Sequence, residues 1–167
     1  MTGNFVGKHV LLDVVVGDGN KKISNIGYIY QYLIDLTKYL DMTLIIPPII
    51  VSFPFSNEAN SIVDKIDKEK HLPSNVKEII NTFKMNYQRK LIHEAGISGI
   101  TIWAESHASL HSWVESNYIS LDVYSCKDFN HKACVNFIKD YFEVVSGTAS
   151  VINRYTNTPH KIVNFEV

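Results

Sequence analysis

Serine, histidine, cysteine and glutamate concentrate in one stretch of the chain, Gly96 to Cys126, GISGITIWAESHASLHSWVESNYISLDVYSC. Ser98, Ser106 and Cys126 are potential nucleophiles, His107 and His111 proton carriers, and Glu105 and Glu115 carboxylates. Residue types alone leave several uses open, since caps, core groups and surface polar groups draw on the same side chains. A zinc site would pair His107 with His111, whose i, i+4 spacing puts both rings on one face of a helix. No Glu follows His107 to act as a base, and Ser112, Trp113 and Val114 add no further ligand, so no metal is expected. A hydrolase nucleophile asks for Gly-x-Ser-x-Gly, whereas Ser106 stands between Glu105 and His107. A third use is attack by the Ser106 hydroxyl on the carbonyl of Glu105: the amide becomes an ester, and elimination then leaves a pyruvoyl group made from the chain itself.

The order of motifs sharpens this third use. Ala-Glu-Ser-His (104–107), His-Ser-Trp-x-Glu (111–115) and Leu-Asp-Val-Tyr-Ser-Cys (121–126) resemble the pyruvoyl-dependent S-adenosylmethionine decarboxylase family of prokaryotic type. The spacing from Ser106 to His111 and to Cys126 is similar to that of the family's precursor serine, processing histidine and catalytic cysteine. Gly7-Lys8-His9-Val10-Leu11-Leu12-Asp13 resembles the family's first strand, and Ser98-Gly99 its processing serine and following glycine. The resemblance covers about three quarters of the chain and is consistent in order as well as type.

The resemblance implies a proenzyme cut between Glu105 and Ser106, with the pyruvoyl cofactor formed from Ser106 at the head of the C-terminal piece. It gives Ser98 and His111 roles in processing. It also implies that the pyruvoyl ketone forms a Schiff base with the substrate amine and takes up the electrons left when carbon dioxide departs. Cys126 is then the proton donor to carbon, while Cys134, on the apolar side of a helical pattern, is expected to be a small core residue. Glu115 stands where the family contacts the ribose hydroxyls, with Trp113 beside it for an adenine ring or a sulfonium cation. The expected reaction is decarboxylation of S-adenosylmethionine for spermidine synthesis, by a homodimer. Related pyruvoyl enzymes of the same framework act on arginine or ornithine, and a carboxylate such as Glu115 would pair with those cations equally well. An uncut homologue that regulates a partner is the non-enzymatic alternative.

Three places depart from the family pattern. Val114 replaces a proline, Lys127 replaces a glycine, and Ile92-His93-Glu94-Ala95-Gly96 replaces an aromatic followed by Ser-Pro-Gln-Gly. Phe53-Pro54-Phe55-Ser56 resembles the family's Phe-x-x-Phe-Ser instead, which makes Phe55 the expected stacking residue and 57–95 a family-atypical insertion.

The elements that must carry these groups follow from periodicity. Lys8 to Val16 alternates as a strand, closed by Gly17-Asp18-Gly19-Asn20. Ile26, Ile29, Leu33, Leu36 and Leu40 form one helical stripe behind Ser24 as N-cap. Met42 to Ile46 and Ile49 to Phe55 read as one bent strand or two short ones around Pro47-Pro48. Val76, Ile79, Ile80, Phe83 and Tyr87 suggest a helix inside the polar insertion, with Asn75 and Glu78 as a capping box. Gly99 to Ala104 and Tyr118 to Tyr124 read as strands. Asn130 then caps a helix with Cys134, Phe137, Ile138 and Tyr141 inward, ending before Ser146-Gly147, and Thr148 to Tyr155 is a last strand. The tail from Asn157 is left without an assignment. This order predicts a single α+β domain over 1–167, a two-layer sandwich with helices on one face of a mainly antiparallel sheet.

Composition narrows the partners. The 167 residues are 46% apolar and carry 16 basic against 17 acidic groups, a net charge of −1 that lacks the basic excess nucleic acid or anionic membrane demands. No apolar run approaches the roughly 20 residues of a membrane span, and Met1 to Val6 shows no leader pattern, so the cytoplasm is expected.

Overall fold

The computed structural model describes residues 4–52 and 96–167, together with Lys77, which is helical and exposed. The expected helix around Val76 to Tyr87, the end of the second strand and Phe55 lie outside the described residues.

Among the described residues seven strands form one sheet in the order β2-β3-β4-β5-β1-β6-β7, with every neighbouring pair antiparallel. They are β1 (Phe5–Val16), β2 (Leu44–Ser52), β3 (Ile97–Trp103), β4 (Ser106–Trp113), β5 (Tyr118–Ser125), β6 (Val144–Tyr155) and β7 (Lys161–Glu166). Among the described residues two α-helices, α1 (Ile26–Tyr39) and α2 (His131–Phe142), pack on one face. The expected α+β sandwich is the fold observed. Among the described residues no helix is long and apolar enough to cross a membrane.

Strand alternation decides which residues meet the helices. Val10, Leu12, Val14, Ile97, Trp103, Ala108, Leu110, Ile119, Leu121, Val123, Ala149 and Val151 are buried on the helical side. Cross-strand partners share that side, as in Leu12 between Leu121 and Ala149. The stripe Ile29, Leu33 and Leu36 of α1 sits over β2 and β3, each such buried side chain contributing about 1.5–3 kcal/mol. Gly99 permits that approach, because a Cβ there would lie 2.8 Å from Ile50 Cδ1 and 3.0 Å from Leu33 Cδ1. The Trp103 indole N–H donates to Thr37 Oγ1 at 2.8 Å, and Thr37 donates to the Leu33 carbonyl at 2.6 Å, so the one buried indole nitrogen of this layer is satisfied. Aromatic rings tie α1 to α2: Tyr28 to Tyr141 at 5.0 Å, Tyr32 to Phe142 at 4.7 Å and Tyr39 to Phe137 at 4.5 Å.

The structure corrects several sequence expectations. Asn25, not Ser24, caps α1, its Oδ1 accepting from the Tyr28 N–H at 3.0 Å. The segment 106–113, expected only as a polar stretch between two strands, is strand β4. Of the two forms expected around Pro47-Pro48, one strand is observed: β2 sits at the sheet edge and absorbs the prolines as register shifts. Helix α2 ends at Phe142 on a left-handed Glu143 (φ 55°), and β6 starts at Val144 rather than Thr148. Residues 161–166 of the unassigned tail add β7.

Candidate active site

The peptide between Glu105 and Ser106 lies in the tightest turn of the sheet. Trp103 and Ser106 are cross-strand partners, so Ala104 and Glu105 form a two-residue hairpin loop between β3 and β4. Ser106 has φ 142°, a region that L-residues rarely adopt and that costs on the order of 1–3 kcal/mol. Its cross-strand partner on the other side is Ser125, which brings the end of β5 alongside. The Glu105 carbonyl accepts from the Cys126 backbone N–H at 2.9 Å. That contact polarises the carbonyl next to the Ser106 hydroxyl and is the kind of donor that stabilises an oxyanion. The Glu105 carboxylate is held by Thr43, whose N–H reaches Oε2 and whose hydroxyl reaches Oε1, both at 2.9 Å. Those bonds keep the Glu105 carboxyl below the usual carboxylate range.

Cys126 is exposed beside this turn. Cys134 is fully buried on α2, and burial pushes its thiol up to about 12, in keeping with a core residue.

Ser98 and His111 are cross-strand partners on the face of the sheet opposite the helices. The Ser98 hydroxyl and His111 Nδ1 lie 2.5 Å apart, and the His111 ring packs edge-on against Trp113 at 4.1 Å. Trp113 is 5.1 Å from Tyr118, whose hydroxyl donates to Asp13 at 2.6 Å. Burial lowers the His111 imidazole from its ordinary value, which leaves it neutral and able to accept a proton near pH 7. Ser98, His111 and Trp113 line a depression of about 380 Å³ with Ile49, Val51 and Asp122.

The sequence-predicted residues therefore fall into two groups. Glu105, Ser106 and Cys126 meet at one end of β4. Ser98 and His111 sit five residues further along, about 16 Å at the rise of an extended strand. Trp113 follows, and Glu115 is exposed on the β4–β5 turn at the far end. Within one chain the structure does not bring the second group to Ser106.

Sequence reasoning missed Thr43, which carries no motif, and a polar cluster on the open face. There His9 Nε2 meets Asp122 Oδ2 at 2.8 Å, and His107 Nε2 lies 3.6 Å from Asp122 Oδ1. Alternation in β1 puts His9 and Asp13 on one face and was the available signal. His107 and His111 are on one face as expected, but of a strand, which sets them too far apart to share an ion. Among the described residues no cluster of three His, Cys, Asp or Glu could hold a metal.

Comparison with known proteins gives a consistent result. Residues 55–155 match a family model described as S-adenosylmethionine decarboxylase. An S-adenosylmethionine decarboxylase proenzyme of Thermococcus kodakarensis is 42% identical over 60 residues, which cover 35% of this chain and 42% of that protein. A proenzyme of the same name from Thermoanaerobacter sp. is 33% identical over 72 residues, 42% of this chain and 58% of the relative. The chain thus spans about two fifths to three fifths of the length of these relatives. A crystal structure described as the adenosylmethionine decarboxylase of Aquifex aeolicus has a similar fold, with a TM-score of 0.58 over 95% of this chain and 98% of that one, at 21% identity.

Proposed function

The chain belongs to the S-adenosylmethionine decarboxylase family, and from that membership we propose that it is a self-cleaving proenzyme that decarboxylates S-adenosylmethionine. The observation that carries the reading is the strained Ser106 behind a Glu105 carbonyl already held by a backbone N–H. In the cut, Ser106 Oγ adds to the Glu105 carbonyl carbon, the C–N bond breaks, and the nitrogen stays with residue 106 as an amine. Loss of the Ser106 Cα proton expels the Glu105 carboxylate, and hydrolysis of the remaining enamine releases ammonia and leaves the pyruvoyl group. The Cys126 N–H holds the carbonyl oxygen as charge develops on it.

The residues at the turn fit that group. A pyruvoyl carbon has no amide nitrogen and hence no φ, so the strain at position 106 disappears when it forms. The ketone supplies an electron sink for decarboxylation of an α-amino acid. Cys126, exposed beside residue 106, delivers a proton to the substrate Cα. Trp113 offers a face for adenine or the sulfonium, Glu115 a carboxylate for the ribose hydroxyls, and Phe55 a second stacking ring. The product is decarboxylated S-adenosylmethionine, an aminopropyl donor for spermidine synthesis in the cytoplasm. This chemistry calls on no nucleic acid, membrane or metal. One domain spans 1–167, with 57–95 as its insertion.

The separation along β4 supports a homodimer. A second copy, turned to run its β4 the other way, would carry its Ser98, His111, Trp113 and Glu115 to the Ser106 end of the first. The helix-free face is suited to such contact, with Val15, Ile49, Val51, Ile100 and Ile102 exposed on it. In that arrangement His111 is the base for the cut and Ser98 orients it. Its imidazole is lowered by burial, so it loses a proton-accepting state only below the ordinary histidine range near about 6.5. The rate of cutting is therefore expected to hold from neutral pH down through that value and to fall beneath it. A stopped-time pH series on newly made protein checks this, and an acid limb above the ordinary range counts against His111 as the base.

Intact-mass spectrometry under denaturing conditions tests the whole reading. Scaling 19.0 kDa by chain length gives pieces of about 12 and about 7 kDa, the smaller lighter by about 17 Da than a serine-headed fragment because ammonia is lost. A chain that stays whole overturns the reading.

A further inference from the structure

Three consecutive residues of the α1–β2 loop reach both sides of the Glu105–Ser106 turn. Thr43 binds the two carboxylate oxygens of Glu105 through its N–H and hydroxyl, and its carbonyl accepts from the Ala104 N–H at 2.9 Å. Met42 Sδ accepts from the Ser125 hydroxyl at 3.6 Å. Asp41 binds Lys127 Nζ with its carbonyl and with its carboxylate, the latter at 2.8 Å. Thr43 thus grips the hairpin loop, while Met42 and Asp41 grip the residues on either side of Cys126. Between them lies the 2.9 Å contact of the Glu105 carbonyl with the Cys126 N–H. The loop is itself fixed, with Leu40 and Met42 buried and Asp41 bent into a left-handed conformation at φ 52°.

We propose that Asp41, Met42 and Thr43 form a positioning bracket for self-cleavage, holding the hairpin loop and the end of β5 in the register that presents the Glu105 carbonyl to the Cys126 N–H. The inference rests on the cleavage reading above and adds residues to it that touch neither the reacting hydroxyl nor substrate. Charge favours the bracket at neutral pH, since Lys127 holds the Asp41 carboxyl below its usual range and Thr43 does the same for Glu105. The Asp41 arm depends on Lys127, one of the positions where the sequence departs from the family pattern, so it is a feature of this chain. A hydrogen bond to an ionised group is about twice as strong as a neutral one, and a small misplacement of reacting atoms is amplified in rate.

The test is the rate at which the fragment of about 7 kDa appears after cell-free synthesis of the full chain. Thr43→Val keeps the shape and removes the hydroxyl, and is expected to slow cutting about tenfold. Thr43→Ser keeps the hydroxyl and removes the methyl, and is expected to restore the rate to within about twofold of the unaltered chain. A packing role for Thr43 predicts the reverse order, and that result overturns the proposal, as does a Thr43→Val rate equal to that of the unaltered chain. In a Glu105→Gln background Thr43→Val is expected to add less than about twofold, because its partner is weakened; a full tenfold there also overturns it. Lys127→Met probes the other arm with an exposed side chain and is expected to slow cutting about threefold, so the proposal stays open to refutation even if Thr43→Val fails to fold. An unaltered chain that never cuts removes the cleavage reading and the bracket together, whereas one that cuts while Thr43→Val and Lys127→Met both keep its rate removes the bracket alone.

Discussion

A Ser106→Ala protein is expected to remain one chain of 19.0 kDa and to show decarboxylation at least about a thousandfold below that of the unaltered protein. The loss follows in two linked steps. No hydroxyl is left to attack the Glu105 carbonyl, and without the cut the ketone that takes up electrons is never made. The fold should be indifferent to the change. Alanine at φ 142° carries the same backbone strain as serine, so the thermal midpoint is expected to move little, while Ser106→Gly should raise stability by about 1–3 kcal/mol by removing that strain. Normal turnover by the alanine variant would sink the pyruvoyl chemistry, and chromatography with intact mass and a decarboxylation assay read both outcomes from one preparation.

Substitutions at Cys126 are expected to separate cutting from turnover. The group that holds the Glu105 carbonyl is the Cys126 backbone N–H, so Cys126→Ala keeps it and should still cut at nearly the original rate. Decarboxylation should fall about 10²–10⁴-fold if the thiol is the proton donor to carbon, as proposed. Cys126→Pro removes the N–H as well and should leave the chain uncut. A Cys126→Ala protein that fails to cut would show that the thiol, and not the backbone, acts in processing. Both proteins can be scored by mass and by carbon dioxide release, with circular dichroism as the check on folding.

Much of this fold could be read from the sequence because its helix-facing positions are strongly apolar. Val10, Leu12 and Val14 alternate cleanly, as do Ile119, Leu121 and Val123, and the stripe of α1 is unbroken. Strand β4 could not be read the same way. Its inward positions are Ala108, Leu110 and Ser112, and its outward ones are His107, Ser109 and His111, so the alternation carries almost no hydrophobic contrast. For the candidate site, residue types and order were legible and distances were not. Ser106 and His111 are five apart in sequence, which would be about 7–8 Å along a helix but is about 16 Å along an extended strand. Thr43 was invisible for a different reason: its bonds to Glu105 span 62 residues and involve a common residue with no pattern around it.

The interleaved strand order bears on what a cut between Glu105 and Ser106 would do to the protein. Strands β1, β2 and β3 then belong to the first piece and β4 to β7 to the second, and since β1 lies between β5 and β6, the pieces alternate across the sheet. They share three strand junctions, β3 with β4, β5 with β1 and β1 with β6, so neither can leave without stripping a central strand from both its neighbours. The native assembly should resist dissociation as firmly as the uncut chain resists unfolding. Once unfolded, however, two separate molecules must find each other, and recovery becomes second order and dependent on concentration. Maturation would thus turn a chain able to refold by itself into one whose native state is kept mainly by the slowness of its loss.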